Sequence, residues 1–223
     1  MQPSTYTQHL NKADAVVHSM GILLEADYKG VLQGKEPIMK GLQRAFSSTK
    51  LGSQNPLQEN NGEYAPQEKD GQITYELMNR DSAILLARES CKNNVGTFVY
   101  ISASAGAPIL PARYIITKRA AESTISKEFP TMRNLFIRPG FLYDGSRSFT
   151  MPLAAMTGAG WLVNSLVGGR LTWIMGAGGT KPLKADIVAD AVVEAIDEHD
   201  VRGVVDVPRI EALATKAWRK GML

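Results

Sequence analysis

Short apolar runs alternate along this chain with segments of helical period, which restricts the fold to a sheet whose strands are joined by helical crossovers. "ADAVVHS" at 13–19, the run at 97–102, "NLFIRPG" at 134–140 and "GVVDV" at 203–207 read as buried strands. Residues 74–91, 113–128, 182–197 and 209–220 carry helical spacing. In 182–197, Ile187, Val188, Ala191, Val192, Ala195 and Ile196 share one helical face. This order predicts the α/β class with a mostly parallel sheet. A length of 223 residues, 44% of them apolar, suits one core and a single domain over 1–223. Residues 23–72 are polar with little period and are expected to form an insertion or lid.

The formal charge is only +3, and the excess is spread along the chain, so nothing points to nucleic acid as a partner. The histidines at 9, 18 and 199 are scattered, and no metal-ligand spacing is visible. One cysteine, Cys91, allows no internal disulfide and fits a reducing compartment. The amino-terminal residues lack the arginines of a transit peptide and the apolar core of a secretory signal. Phe149–Gly169 is uncharged for 21 residues, but its proline, glycines and polar side chains make it a poor membrane span. A helix with turns packed over a cleft is the expectation there, with a lipid-facing surface as the alternative.

The stretch "FVYISASAGAPILPARYIITKRAAE" at 98–122 carries the candidate chemistry. Ser102 lies at the carboxyl end of a strand, where open α/β sheets place their ligands. Tyr114 and Lys118, four residues apart, share a face of the following helix. An isolated tyrosine, with a pKa of about 10, is a poor acid or base at neutral pH. An ammonium within about 4–6 Å favours the phenolate and lowers that value. The trio therefore suits proton transfer coupled to hydride transfer. An ordinary half-buried tyrosine beside an exposed lysine would have the same spacing.

Five ordered motifs extend the pattern: "AVVHSMGIL" at 15–23, "VYISASAG" at 99–106, "YIITKRAAE" at 114–122, "FIRPGFLYD" at 136–144 and "KPLKADIVADAVVEAI" at 181–196. Together they resemble the short-chain dehydrogenase/reductase superfamily in its extended or atypical branch. They are most similar to the group that holds accessory proteins of respiratory complex I and of fungal coenzyme Q biosynthesis. The resemblance implies a doubly wound Rossmann-like sheet and NAD or NADP as cofactor. It assigns Tyr114 as proton donor and acceptor, Lys118 as ribose-binding residue and Ser102 as substrate-orienting hydroxyl, with Ser104 as a second candidate. Ser19, Gly21, Lys118, Pro139 and Gly140 would contact the cofactor, and Asn79 lies near the position of a proton-relay asparagine. It further implies a hydrophobic small-molecule substrate, partners in a coenzyme Q biosynthesis complex and a mitochondrial location on the matrix side of the inner membrane. Peripheral membrane association would fit. A substrate-side segment is expected at 145–180, in which residues 149–175, with Trp161 and Trp173, either form its apolar wall or pack in the core. A non-catalytic scaffold in an inner-membrane complex is the competing expectation.

The glycine-rich turn that cradles a pyrophosphate after the first strand has no counterpart before Ala13. "GAGWLV" at 158–163 follows no strand, and "GAGGTK" at 176–181 leads into Pro182, so neither replaces it. The chain is expected to begin near the helix preceding the family's fourth strand, without the first βαβαβ half. On that expectation it is a weakly stable fragment or short isoform of a longer protein, and the strand at 13–19 offers an apolar edge.

Overall fold

A computed structural model describes residues 3–23, 74–106, 111–144, 150–168, 170 and 179–222. After a 3₁₀ turn, Pro3–Thr5, and a one-turn helix α1, Thr7–Leu10, strand β1 runs over Ala15–His18. A π-helical turn, Glu76–Asp81, leads into α2, Ser82–Lys92, and then β2, Thr97–Ile101. Helix α3, Ala112–Glu128, connects to β3, Arg133–Ile137, followed by the two-residue β4, Leu142–Tyr143. Helix α4, Thr150–Leu166, strand β5, Leu183–Lys184, helix α5, Ala185–Asp197, β6, Gly203–Val205, and α6, Val207–Lys220, complete the chain. The insertion expected at 23–72 lies outside the described residues except for Leu23, as does Trp173.

The main sheet has the order β1-β2-β3-β6, and every pairing is parallel. The parallel class is the one the sequence predicts, and β1 pairs on one side only among the described residues. Alternation along the strands divides the core in two. Phe98, Tyr100 and Phe136 point to the face covered by α2 and α3, where Ala83, Ile84, Ala87, Ala121 and Ile125 meet them. Val99, Leu135 and Ile137 point to the opposite face, against Val188, Ala191, Ala195, Ile210 and Leu213 of α5 and α6. Burying each large side chain stabilises the fold by roughly 1.5–3 kcal/mol, so the two layers hold the sheet in place. All six apolar positions expected on one face of α5 pack inward, Ile187 and Ile196 only in part.

Helix ends follow from local chemistry. The Asp206 carboxylate accepts from the Arg209 N–H at 3.2 Å and caps α6, with a proline in its first turn and Arg219 and Lys220 in its last. Buried Arg133 donates to the carbonyls of Ile196 at 2.5 Å and Glu198 at 2.7 Å, and to Thr97 Oγ1 at 3.1 Å. It thus satisfies the orphan carbonyls that end α5 and ties them to β2 and β3. Arg133→Met should lower unfolding stability by about 2–3 kcal/mol in urea titrations, because these acceptors stay buried without donors. Arg133→Lys should recover only part, lacking the planar fork.

Candidate functional site

The carboxyl ends of β1, β2 and β3, the π-helical turn and the first half of α3 meet in one region. Because β2 ends at Ile101, the strand tip delivers Ser102 directly, and α3 brings Tyr114, Lys118 and Glu122 past it at successive turns. Lys118 Nζ donates to the Ile101 carbonyl at 3.1 Å and lies 5.8 Å from the Tyr114 ring centroid and 5.1 Å from that of Tyr100. Lys118 is buried, and none of the described carboxylates lies within ion-pair distance of it. Burial pulls its pKa down to about 8, partly opposed by the charge of Glu122. Burial also pushes the Tyr114 phenol up to about 12, opposed in part by the charge of Arg119. The sequence predicts a phenol lowered by its lysine neighbour, whereas here burial raises it and Arg119 is the charge that opposes.

Ser102 belongs to a different cluster. Its hydroxyl donates to the Glu122 carboxylate and accepts from Arg119 Nη1 at 3.1 Å. Arg119 also donates to Glu122 at 2.8 Å and to the carbonyls of Ala103 and Ser104 at 2.8 and 2.9 Å. Arg138, just beyond β3, pairs with both Glu122 oxygens. Tyr114 and Lys118 are thus brought together, while the Ser102 hydroxyl is held by Glu122 and Arg119. Sequence reasoning included Glu122 only as part of a motif and missed Arg119 and Arg138. The one available signal was the Arg119–Glu122 spacing of three on a helix. Ser104, the second candidate, has its hydroxyl 3.4 Å from that of Thr180.

Asn79 sits within the π-turn, fully buried, and its amide reads the backbone of Ile22: Oδ1 accepts from Ile22 N–H at 2.9 Å and Nδ2 donates to Ile22 O at 3.2 Å. Its carbonyl accepts the Tyr100 hydroxyl. π-turns recur at functional sites because they free main-chain groups from the helical ladder. The loop after β1 is also held by the Tyr75 hydroxyl, which donates to Leu23 O at 2.8 Å. Gly21 is needed for this approach: a Cβ there would lie 2.9 Å from Asn79 Oδ1 and 3.6 Å from Lys118 Nζ. Neighbouring Ser19 is exposed. At the end of β3, Pro139 is buried and its carbonyl accepts from Ser104 N–H at 2.8 Å. A Cβ at Gly140 would lie 2.7 Å from Lys181 O and 2.8 Å from Thr180 Oγ1, so chain packing alone requires this glycine.

His18, at the end of β1, completes the floor. Its Nε2 lies 2.9 Å from Ser82 Oγ, whose own proton goes to Met78 O at 2.7 Å, so the imidazole N–H is the donor. The ring tilts against Tyr100 at 5.5 Å. Burial, and next the Lys118 charge, hold His18 down at about 4 and therefore neutral.

No protein-family model matches the chain. It is 37% identical over 164 residues to MIOREX complex component 2 of Saccharomyces cerevisiae, an alignment that takes in 68% of this chain and 55% of the yeast protein. The chain therefore spans about half the length of the curated relative it matches. Among solved structures, UDP-glucuronic acid 4-epimerase from Bacillus cereus in complex with NAD aligns at 15% identity and a TM-score of 0.48, over 90% of this chain and 55% of the epimerase. RMD from Pseudomonas aeruginosa complexed with NADPH aligns at 16% identity and 0.45, over 92% and 65%. The chain belongs to the family of the yeast MIOREX complex component 2.

The residues expected from the sequence to hold a nicotinamide riboside are Tyr114 and Lys118. Those residues fit it: the Tyr114 hydroxyl has no hydrogen bond to the described residues, and Lys118 gives one hydrogen bond, to Ile101 O. The spaces beside Gly21 and Gly140 are filled by the protein's own atoms.

Lys118 has a pH signature. Its folded pKa of about 8 lies below the ordinary 10.5, so the unfolded chain binds the extra proton in that interval. Stability should therefore rise as pH climbs from about 8 toward about 10.5. In Lys118→Met this rise should vanish, read as the urea midpoint against pH; an unchanged profile would show that the amine is well solvated.

Proposed function

We propose that this chain serves as an NAD(P)-binding accessory component of a mitochondrial assembly, using the dehydrogenase/reductase fold chiefly as a scaffold. The observation that carries this reading is its 37% identity to a component of the yeast MIOREX complex. The site supports the same reading. The hydroxyl that would orient a substrate is held by Glu122 and Arg119, and the phenol that would move a proton is pushed up to about 12. On this proposal the assembly belongs to coenzyme Q biosynthesis on the matrix side of the inner membrane, and the chain spends its life in contact with partner proteins.

Catalysis is a second reading, favoured by one observation: Tyr114 and Lys118 lie together on the α3 face that looks across the strand tip. When bound, NAD or NADP would supply or accept a hydride. Tyr114 would hold the transferred proton at its phenolic oxygen, and Lys118 would hold the ribose and lower the cost of the phenolate. Ser102 would turn from Glu122 toward the carbonyl of a hydrophobic substrate.

Titration with NADH and NADPH, followed by fluorescence, tests nucleotide binding, which Lys118→Met should weaken at least about tenfold by removing a charged hydrogen-bond donor. Tyr114→Phe then separates the two readings. The scaffold reading predicts that nucleotide binding, assembly of the complex and coenzyme Q content stay at the wild-type level. Loss of product with assembly intact would instead establish Tyr114 as catalytic.

A further inference from the structure

Lys118 holds its charge where no counter-charge meets it. The side chain is buried, its Nζ gives one hydrogen bond, to Ile101 O at 3.1 Å, and none of the described carboxylates pairs with it. A buried ammonium without a carboxylate is costly unless something else balances it. Two rings lie close enough to do so: Tyr100, with its centroid 5.1 Å from Nζ, and Tyr114, at 5.8 Å. The negative face of an aromatic ring attracts a cation within about 6 Å, most strongly where water is excluded.

Of the two rings, Tyr100 is the fixed one. It is fully buried on the central strand β2, and its hydroxyl donates to the Asn79 carbonyl. The His18 ring packs against it at 5.5 Å. Asn79 in turn grips the Ile22 backbone through both ends of its amide. The Tyr114 hydroxyl, by contrast, has no hydrogen bond to the described residues. The kind of partner matters. A carboxylate would take up the N–H groups of the ammonium, whereas a ring face balances the charge without a conventional acceptor.

We infer that Tyr100 is a positioning residue: its ring face holds and balances the Lys118 ammonium and leaves N–H donors for a ligand that accepts hydrogen bonds. The ligand half of this statement rests on the reading that Lys118 meets a nucleotide; the hold of the ring on the ammonium does not. The surroundings make that hold measurable. His18, at about 4, and Tyr114, at about 12, stay neutral where Lys118 titrates, near about 8. Glu122 and Arg119 act on Lys118 in opposite directions and are kept in every variant. On the π-turn, Arg80 pairs with Asp81, and Glu76 pairs with Arg113 of α3.

NMR of the full chain, isotope-labelled at the lysine Cε atoms, tests it. The Lys118 resonance, identified by its loss in Lys118→Met, is followed against pH without ligand. Tyr100→Phe keeps a ring, with His18 still against it, and should hold the wild-type midpoint. Ring-fluorinated phenylalanines of increasing fluorine content at position 100 keep the shape but weaken the negative face. They should lower the midpoint step by step, by about one pH unit at the most fluorinated. Tyr100→Leu, where it melts cooperatively, should lower it by a similar amount. The proposal is overturned if the fluorinated series titrates like Tyr100→Phe. It is equally overturned if the midpoint rises, which would show that the ring acts only by excluding water. Titration of the wild-type chain with NADH and NADPH separates the two readings. Binding of neither would overturn the nucleotide reading and the ligand half of the proposal, while a falling midpoint would still establish the hold of the ring on Lys118.

Discussion

Strand β2 runs through the described sheet with neighbours on both edges and helices on both faces, so its carboxyl end cannot shift without disturbing both halves of the core. Every feature of the site depends on that fixed point. The Ile101 carbonyl receives Lys118, Ser102 receives Arg119, and Tyr100 reaches across to Asn79. A central parallel strand suits this role because close packing on both faces leaves it little freedom to relax.

Around that point the polar groups separate into two environments on one helix. Lys118 faces aromatic rings and a backbone carbonyl, and burial presses both it and Tyr114 toward their neutral forms. One residue further along α3, Arg119 faces Glu122, Ser102 and two carbonyls. The contrast bears on function. On the proposed reading the first environment receives a ligand that supplies hydrogen-bond partners, whereas the second is already satisfied by the chain itself. A buried, hydrogen-bonded ion cluster of that kind holds the strand tip to the helix more readily than it offers a reactive hydroxyl.

Much of the fold was legible because burial leaves a period in the residues. The alternation of Phe98, Val99 and Tyr100 and the repeat of Val188, Ala191, Val192 and Ala195 both announce which side chains face a core. The π-turn at Glu76–Asp81 left no such trace: the sequence at 74–91 reads as uninterrupted helix, and the turn's hydrogen bonds run to Ile22 and Tyr100 far away in sequence. The pairing of β4 with β5 was equally hidden, since two residues on each side are too few to show a period. Glycines were ambiguous for a related reason. The resemblance assigns Gly21 and Gly140 to cofactor contact, and nothing local says that Asn79, Thr180 and Lys181 are the groups that approach them.

The sequence by itself determined the order and kind of the main elements, the parallel class of the sheet and the convergence of Tyr114 and Lys118, because periodicity and an i, i+4 spacing are local properties. Tertiary structure alone decided that Ser102 turns to Glu122, that Arg138 joins it from the next strand, and that burial governs the titration of the lysine and the phenol. Those outcomes depend on distances between groups remote along the chain and on how much water reaches them, and neither quantity is encoded in the spacing of neighbouring residues.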